Sequence, residues 1–150
     1  MNFRKSIQFV LILACGFALL PSGSAFAAAQ AAQTSESDGV TIKVRPVDIS
    51  AGVATWNFEV SMDTHSGMLG DDLARSAYIL DRTTKSELLP TEWAGDAPGG
   101  HHRKGVLRFK ALKPMPKAIE LRIQRAGEKA PRVFRWDLDC PCNDPKMHAT

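Results

Sequence analysis

Ala54, Trp56, Phe58, Val60 and Met62 alternate without a break with Thr55, Asn57, Glu59, Ser61 and Asp63. A strand sends successive side chains to opposite faces, whereas a helix returns to one face every 3.6 residues. Such a run has one wet face and one apolar face, and the apolar face needs a second layer to cover it. The same period of two appears earlier, where Val40, Ile42 and Val44 are set against Thr41, Lys43 and Arg45. It returns in Ile119, Leu121 and Ile123, and again in Phe134, Trp136 and Leu138. Shorter strands are expected over 77–81, 87–89 and 106–110. Breaks rich in Gly and Pro separate them, among them Pro98-Gly99-Gly100 and Pro114-Met115-Pro116. Only residues 69–75 suit a helical turn, with Asp71 and Asp72 where carboxylates favour its start. About seven short strands in roughly 100 residues predict an all-β fold, an antiparallel immunoglobulin-like β-sandwich. The Cys-Trp-Cys spacing of antibody domains is missing, so the expectation concerns architecture alone.

The first residues set the compartment. Arg4 and Lys5 precede an apolar run from Ile7 to Leu20, and Ala25-Phe26-Ala27 offers a small-x-small cleavage site. That order predicts a cleavable signal peptide over residues 1–27 and a periplasmic or secreted protein. The run of about 14 residues is shorter than the roughly 20 that span a bilayer. No second long apolar stretch follows it, so no membrane span is expected in the mature chain. Ile12-Leu13-Ala14-Cys15 is a loose lipobox, which makes a lipoprotein through Cys15 the lesser alternative. Apolar residues continue beyond Cys15, and this favours the later site. Residues 28–39 read as a flexible spacer, 40–139 as the β-sandwich domain and 140–150 as a flexible Cys-x-Cys tail.

Charge removes one class of partner. The chain holds 19 Lys and Arg against 16 Asp and Glu, for a net charge of +3. Two of the basic groups, Arg4 and Lys5, leave with the signal peptide, and the mature domain is left near +1. Its cations are scattered singly, whereas nucleic-acid binding requires clusters that neutralise several phosphates. No nucleic acid is expected.

The remaining question is what the histidines and cysteines do. His65 follows the second long strand, and His101 and His102 lie in Pro98-Gly99-Gly100-His101-His102-Arg103, just before a strand expected at Val106. Neutral imidazole suits copper and zinc. Brought together on adjacent loop ends, His65, His101 and His102 would make an open metal site. Glycine-led turns and a histidine stacked on Trp93 account for the same residues without a metal. Cys140, Cys142, Met147 and His148 form a second, softer donor set in the tail, suited to Cu(I) or zinc. Two cysteines bonded to each other or to another chain explain that tail equally well. A triad of Asp63, His65 and Ser66 is too crowded within one loop, and a turn that bonds its own backbone is the simpler account. Calcium at Asp63, Asp71 and Asp72 lacks the pattern of an EF-hand loop. No enzyme activity is expected.

Three segments occur together here: Thr55-Trp56-Asn57-Phe58-Glu59-Val60; Asp63-Thr64-His65-Ser66 with Leu69, Asp72 and Leu73; and Trp93-Ala94-Gly95 followed by Gly99-Gly100-His101-His102-Arg103-Lys104-Gly105-Val106-Leu107-Arg108-Phe109. In these segments the chain resembles an uncharacterised family of small exported bacterial domains, over roughly Val40 to Trp136. The resemblance implies an exported β-domain in which the Thr-His-Ser and Gly-Gly-His-His-Arg segments belong to one unit. It implies no activity. The sequence thus predicts an exported, non-catalytic binding domain that handles copper or zinc through loop histidines. The alternative is an extracytoplasmic protein-interaction or structural module with no metal, whose partner would be another exported protein.

Overall fold

A computed structural model describes residues 30–138 of the 150. The segment expected as a signal peptide, with Cys15, and Cys140, Cys142, Met147 and His148 lie outside the described residues. The fold is all-β, with two antiparallel sheets of nine strands and one helical turn. The strands are β1 (Gln33–Ser37), β2 (Val40–Asp48), β3 (Thr55–Thr64), β4 (Ala77–Asp81), β5 (Glu87–Leu88), β6 (Glu92–Gly95), β7 (His102–Lys110), β8 (Ala118–Ile123) and β9 (Arg132–Asp137). The helical turn α1 spans Leu73–Ser76, and Asp72 caps it by accepting a hydrogen bond from the Ala74 amide. One sheet has five strands in the order β1-β2-β3-β7-β6, and the other has four in the order β5-β4-β8-β9. Among the described residues no helix is long and apolar enough to cross a membrane.

Alternation fixes which side of each strand is buried. Trp56, Phe58, Val60 and Met62 of β3 point into the core, where Ile42 and Val44 of β2 and Leu107 and Phe109 of β7 join them. Ile79, Leu121, Phe134 and Trp136 close the core from the other sheet. Phe58 meets Phe109 edge-on at 5.7 Å and Trp136 at 5.5 Å, so its ring ties the two sheets together. Each fully buried aliphatic or phenyl side chain contributes roughly 1.5–3 kcal/mol.

Three departures from the sequence reading have physical causes. Residues 33–37, expected as spacer, form β1. The turn at Asp38 and Gly39 has positive φ at both residues (49° and 71°), the geometry of a two-residue hairpin. This strand needs no apolar alternation because backbone bonds to β2 and contacts to β9 hold it. The Gln33 side-chain amide donates to the Arg135 carbonyl and accepts from the Arg135 amide, and the Trp136 indole donates to the Ala31 carbonyl. β7 begins at His102 rather than Val106, since it pairs with β3 along the full length from Asp63↔His102 to Thr55↔Lys110. β6 was not expected either. It is a four-residue edge strand whose Gly95 faces Gly105.

Candidate functional site

Four loops meet at one end of the molecule: 38–39, 65–72, 96–101 and 124–131. Backbone bonds hold two of them side by side. The Thr64 amide donates to the His101 carbonyl, Leu69 to Gly100, and Gly99 to Leu69, at 2.9–3.0 Å. The Thr-His-Ser and Gly-Gly-His-His-Arg segments therefore share one end of the fold.

Arg103 occupies the space between these loops. It shares strand parity with Leu107 and Phe109, so its side chain points inward and is buried. One guanidinium nitrogen donates to the carbonyls of Leu69 (2.9 Å) and Asp71 (2.7 Å), and the other to that of Asp96 (3.2 Å). Burial lowers its pKa, and the nearby charges of Asp71, Asp96 and Asp72 oppose that shift. A guanidinium stays charged under both influences. Its Cζ lies 5.6 Å from the centre of the Trp93 ring, a contact worth about 0.5–2 kcal/mol. Trp93 can lie there because Gly95 and Gly105 expose bare backbone beneath it. A Cβ on Gly105 would stand 2.5 Å from the Gly95 Cα and 2.7 Å from the indole. The indole nitrogen donates to the Asp96 carbonyl at 2.9 Å.

A chain of buried charges fastens the remaining loops. Asp71 accepts from the Arg125 guanidinium and the Ala126 amide, both at 2.9 Å. Arg125 also reaches Glu128, and Glu128 pairs with Arg132 through both carboxylate oxygens (2.6 and 2.7 Å). Arg132 then donates to the carbonyls of Ser35, Ser37 and Val40. Hydrogen bonds from Arg132, opposed by burial and reinforced by the charges of Arg132 and Arg125, hold the Glu128 carboxyl below the usual glutamate range.

The sequence candidates lie around this framework. His65 and His101 are exposed. His102 heads β7 on the outer face, where its Nδ1 meets Asp63 Oδ1 at 2.6 Å, with side chains 73% and 51% exposed. The loops of His65, His101 and His102 converge, yet among the described residues no group of three or more His, Cys, Asp or Glu is placed to hold a metal ion. The carboxylates considered for calcium are separated in use, Asp63 on His102, Asp71 on Arg125 and Asp72 on the cap of α1. Asp63 meets His102 and not His65. Thr64 Oγ1 accepts from the Ser66 amide and donates to the Gly39 carbonyl, as a self-bonded turn does.

Sequence reading missed the face of the five-stranded sheet below the His102–Asp63 pair. A groove of about 450 Å³ opens there, lined by Lys43, Arg45, Glu59, Ser61, Lys104 and Val106, with Ala32 at one side. Strand pairing orders it in rows. Asp63 and His102 form the first, Lys43, Ser61 and Lys104 the second, and Arg45, Glu59 and Val106 the third. The first row is an ion pair when His102 is protonated, and in the third Arg45 donates to Glu59. The middle row has two ammonium groups, and among the described residues neither makes an ion pair or a side-chain hydrogen bond. The opposite sheet treats its cations differently, for Arg122 (2.6 Å), Arg135 (2.8 Å) and Arg82 (3.5 Å) converge on the buried Glu120. The large apolar side chains left exposed, Val47, Met68 and Leu89, are spread along the chain, and only Met68 stands beside the histidine loops. No family model, no curated protein and no solved structure matches this chain.

Proposed function

We propose that this chain is an exported, non-catalytic binding domain whose ligand seats in the groove on the outer face of the five-stranded sheet. The groove itself carries the reading. Its volume falls within the range of small-molecule sites, and its floor is made of paired strands rather than mobile loops. The signal-peptide pattern of residues 1–27 supports an extracytoplasmic location, periplasmic or secreted. Strand order supports the immunoglobulin-like reading of the fold. Lettered in chain order from β2 as A, B, C, C′, D, E, F and G, the sheets run A-B-E-D and C′-C-F-G, with β1 added outside A.

Metal binding remains the second reading, favoured by the Asp63–His102 contact. A carboxylate on Nδ1 leaves Nε2 of the same ring turned to other partners, and metal-ligating histidines are commonly oriented so. One experiment separates the two. Nitrogen-15-labelled exported protein is titrated with the small-molecule fraction of its compartment, and separately with Cu(I), Cu(II) and Zn(II). Groove binding moves the amides of Ser61, Lys104 and Val106 in the first titration. Stoichiometric metal binding that His65→Ala or His102→Ala abolishes, with the groove amides unmoved by the fraction, would overturn the groove reading in favour of copper or zinc.

A further inference from the structure

The row of Lys43, Ser61 and Lys104 is unlike its neighbours. The two lysines are two strands apart, about 10 Å between backbones, and both side chains stand on the outer face with the Ser61 hydroxyl between them. Four-carbon stems let both ammonium groups swing over that hydroxyl. The row carries two ammonium groups; at its outer end the Asp96 carboxylate accepts from the Lys104 backbone amide at 2.8 Å and, among the described residues, makes no ion pair with either of them. The Arg45–Glu59 pair below it is neutral, and above it Asp63 already faces His102.

We propose that this row binds the phosphate group of a small phosphate monoester. The inference rests on the groove reading and names its ligand class. A phosphate monoester carries a charge of about −1.5 to −2 at pH 7 and three acceptor oxygens. Two ammonium groups and one hydroxyl set one donor group against each of its three acceptor oxygens, whereas a carboxylate has only two oxygens to offer them. The groove, at about 450 Å³, is larger than a phosphate ion needs. The rest of the ligand lies along the third row, where Arg45 and Glu59 offer polar contacts and Val106 and Ala32 offer apolar ones.

Calorimetry with the exported protein tests this, using glucose 6-phosphate, glucose, glucuronate and inorganic phosphate as probes. Glucose 6-phosphate is expected to bind more tightly than the other three. Lys43→Ala and Lys104→Ala should each weaken it about tenfold, since a hydrogen bond to a charged group contributes about 1.5–3 kcal/mol. Arg135→Ala, on the opposite sheet, should leave affinity unchanged. The proposal is overturned by undiminished binding in the double Lys43→Ala/Lys104→Ala variant, by a loss in Arg135→Ala instead, or by no binding of any phosphate probe. Equal affinity for glucuronate overturns the phosphate class, and equal affinity for inorganic phosphate overturns the ester. Thermal melts of each variant separate lost binding from lost folding. Shifts of the groove amides with the compartment fraction, where every phosphate probe fails, would leave the groove reading standing and remove only the phosphate.

Discussion

Arg103 and Lys104 are neighbours on β7 and meet opposite fates. Arg103 turns inward to the loop end, where three backbone carbonyls accept from its two terminal nitrogens and the Trp93 ring lies beside its charge, while its buried Nε has no partner among the described residues. Lys104 turns outward to the groove; its backbone amide donates to the Asp96 carboxylate at 2.8 Å, while among the described residues its ammonium group makes no ion pair. One residue of strand parity separates a cation that organises loops from one whose ammonium group makes no ion pair among the described residues. The loop end is built throughout on the first principle, with Asp71, Arg125, Glu128 and Arg132 used up among themselves. Side chains already committed to each other position a site well and recognise a ligand poorly. The histidines are conspicuous in the sequence, yet they stand around a framework whose central cation is already held by three backbone carbonyls.

The sharpest way to break this contrast is to remove each cation in turn. Arg103→Met leaves the carbonyls of Asp71 and Asp96 without their guanidinium donor at a buried position. A buried acceptor left without its donor costs about 1–3 kcal/mol, so a loss of about 3 kcal/mol is expected, a fall in melting temperature of roughly 10–20 °C for a domain of this size. Lys104→Met should change stability by no more than about 0.5 kcal/mol. Thermal unfolding followed by circular dichroism gives both numbers. Similar losses in the two variants would mean that Lys104 is structural and that the contrast is false.

That parity was legible. Leu107 and Phe109 fix the inward side of β7, and counting back by twos reaches Gly105 and then Arg103. The sequence alone starts this strand at Val106, because His102, Arg103 and Lys104 show no apolar alternation. The cross-strand partner that extends the strand, β3, lies some 40 residues away. Where burial drives the structure, as in β3, β8 and β9, alternation located the strands to within a residue or two. Asp38-Gly39 also carried a readable hairpin signal, masked by the polar composition of β1. Other features had no local trace. Asp71 and Arg125 are 54 positions apart, and the row of Lys43, Ser61 and Lys104 comes from three strands whose register only the folded sheet sets. Periodicity reports which side a residue takes and says nothing of its neighbour across the sheet.

A smaller effect tests whether the loop end depends on its charges. The Glu128 carboxyl is depressed in the folded state, so its contribution is complete above the ordinary carboxylate value of about 4.3. It is lost as pH falls through the lower folded value, because protonation then favours the unfolded chain. Glu128→Gln should cost roughly 2 kcal/mol at pH 7, and the two proteins should converge in stability as pH falls below the ordinary carboxylate value. Urea midpoints at a series of pH values measure the gap. A gap that stays constant with pH would mean that Glu128 acts through shape, and the loop end would then resemble an ordinary packed turn.

The smallest effect lies on the outer face. Asp63 and His102 are both largely exposed, and exposed pairs contribute about 0–1 kcal/mol. Asp63→Asn should therefore shift the melting temperature by no more than about 4 °C. Its effect on the groove has a definite sign. Asp63 lies two residues from Ser61 on the same face of β3, about 7 Å away, so its negative charge opposes an anion held over the lysine row. At that distance in water a unit pair is worth about 0.6 kcal/mol before salt screening. Asparagine in its place should tighten glucose 6-phosphate binding about twofold to threefold. Tighter binding in Asp63→Asn with weaker binding in Lys104→Ala would show the face acting through its charge balance. Weaker binding in both would make Asp63 a direct contact of the ligand, and His102 with it.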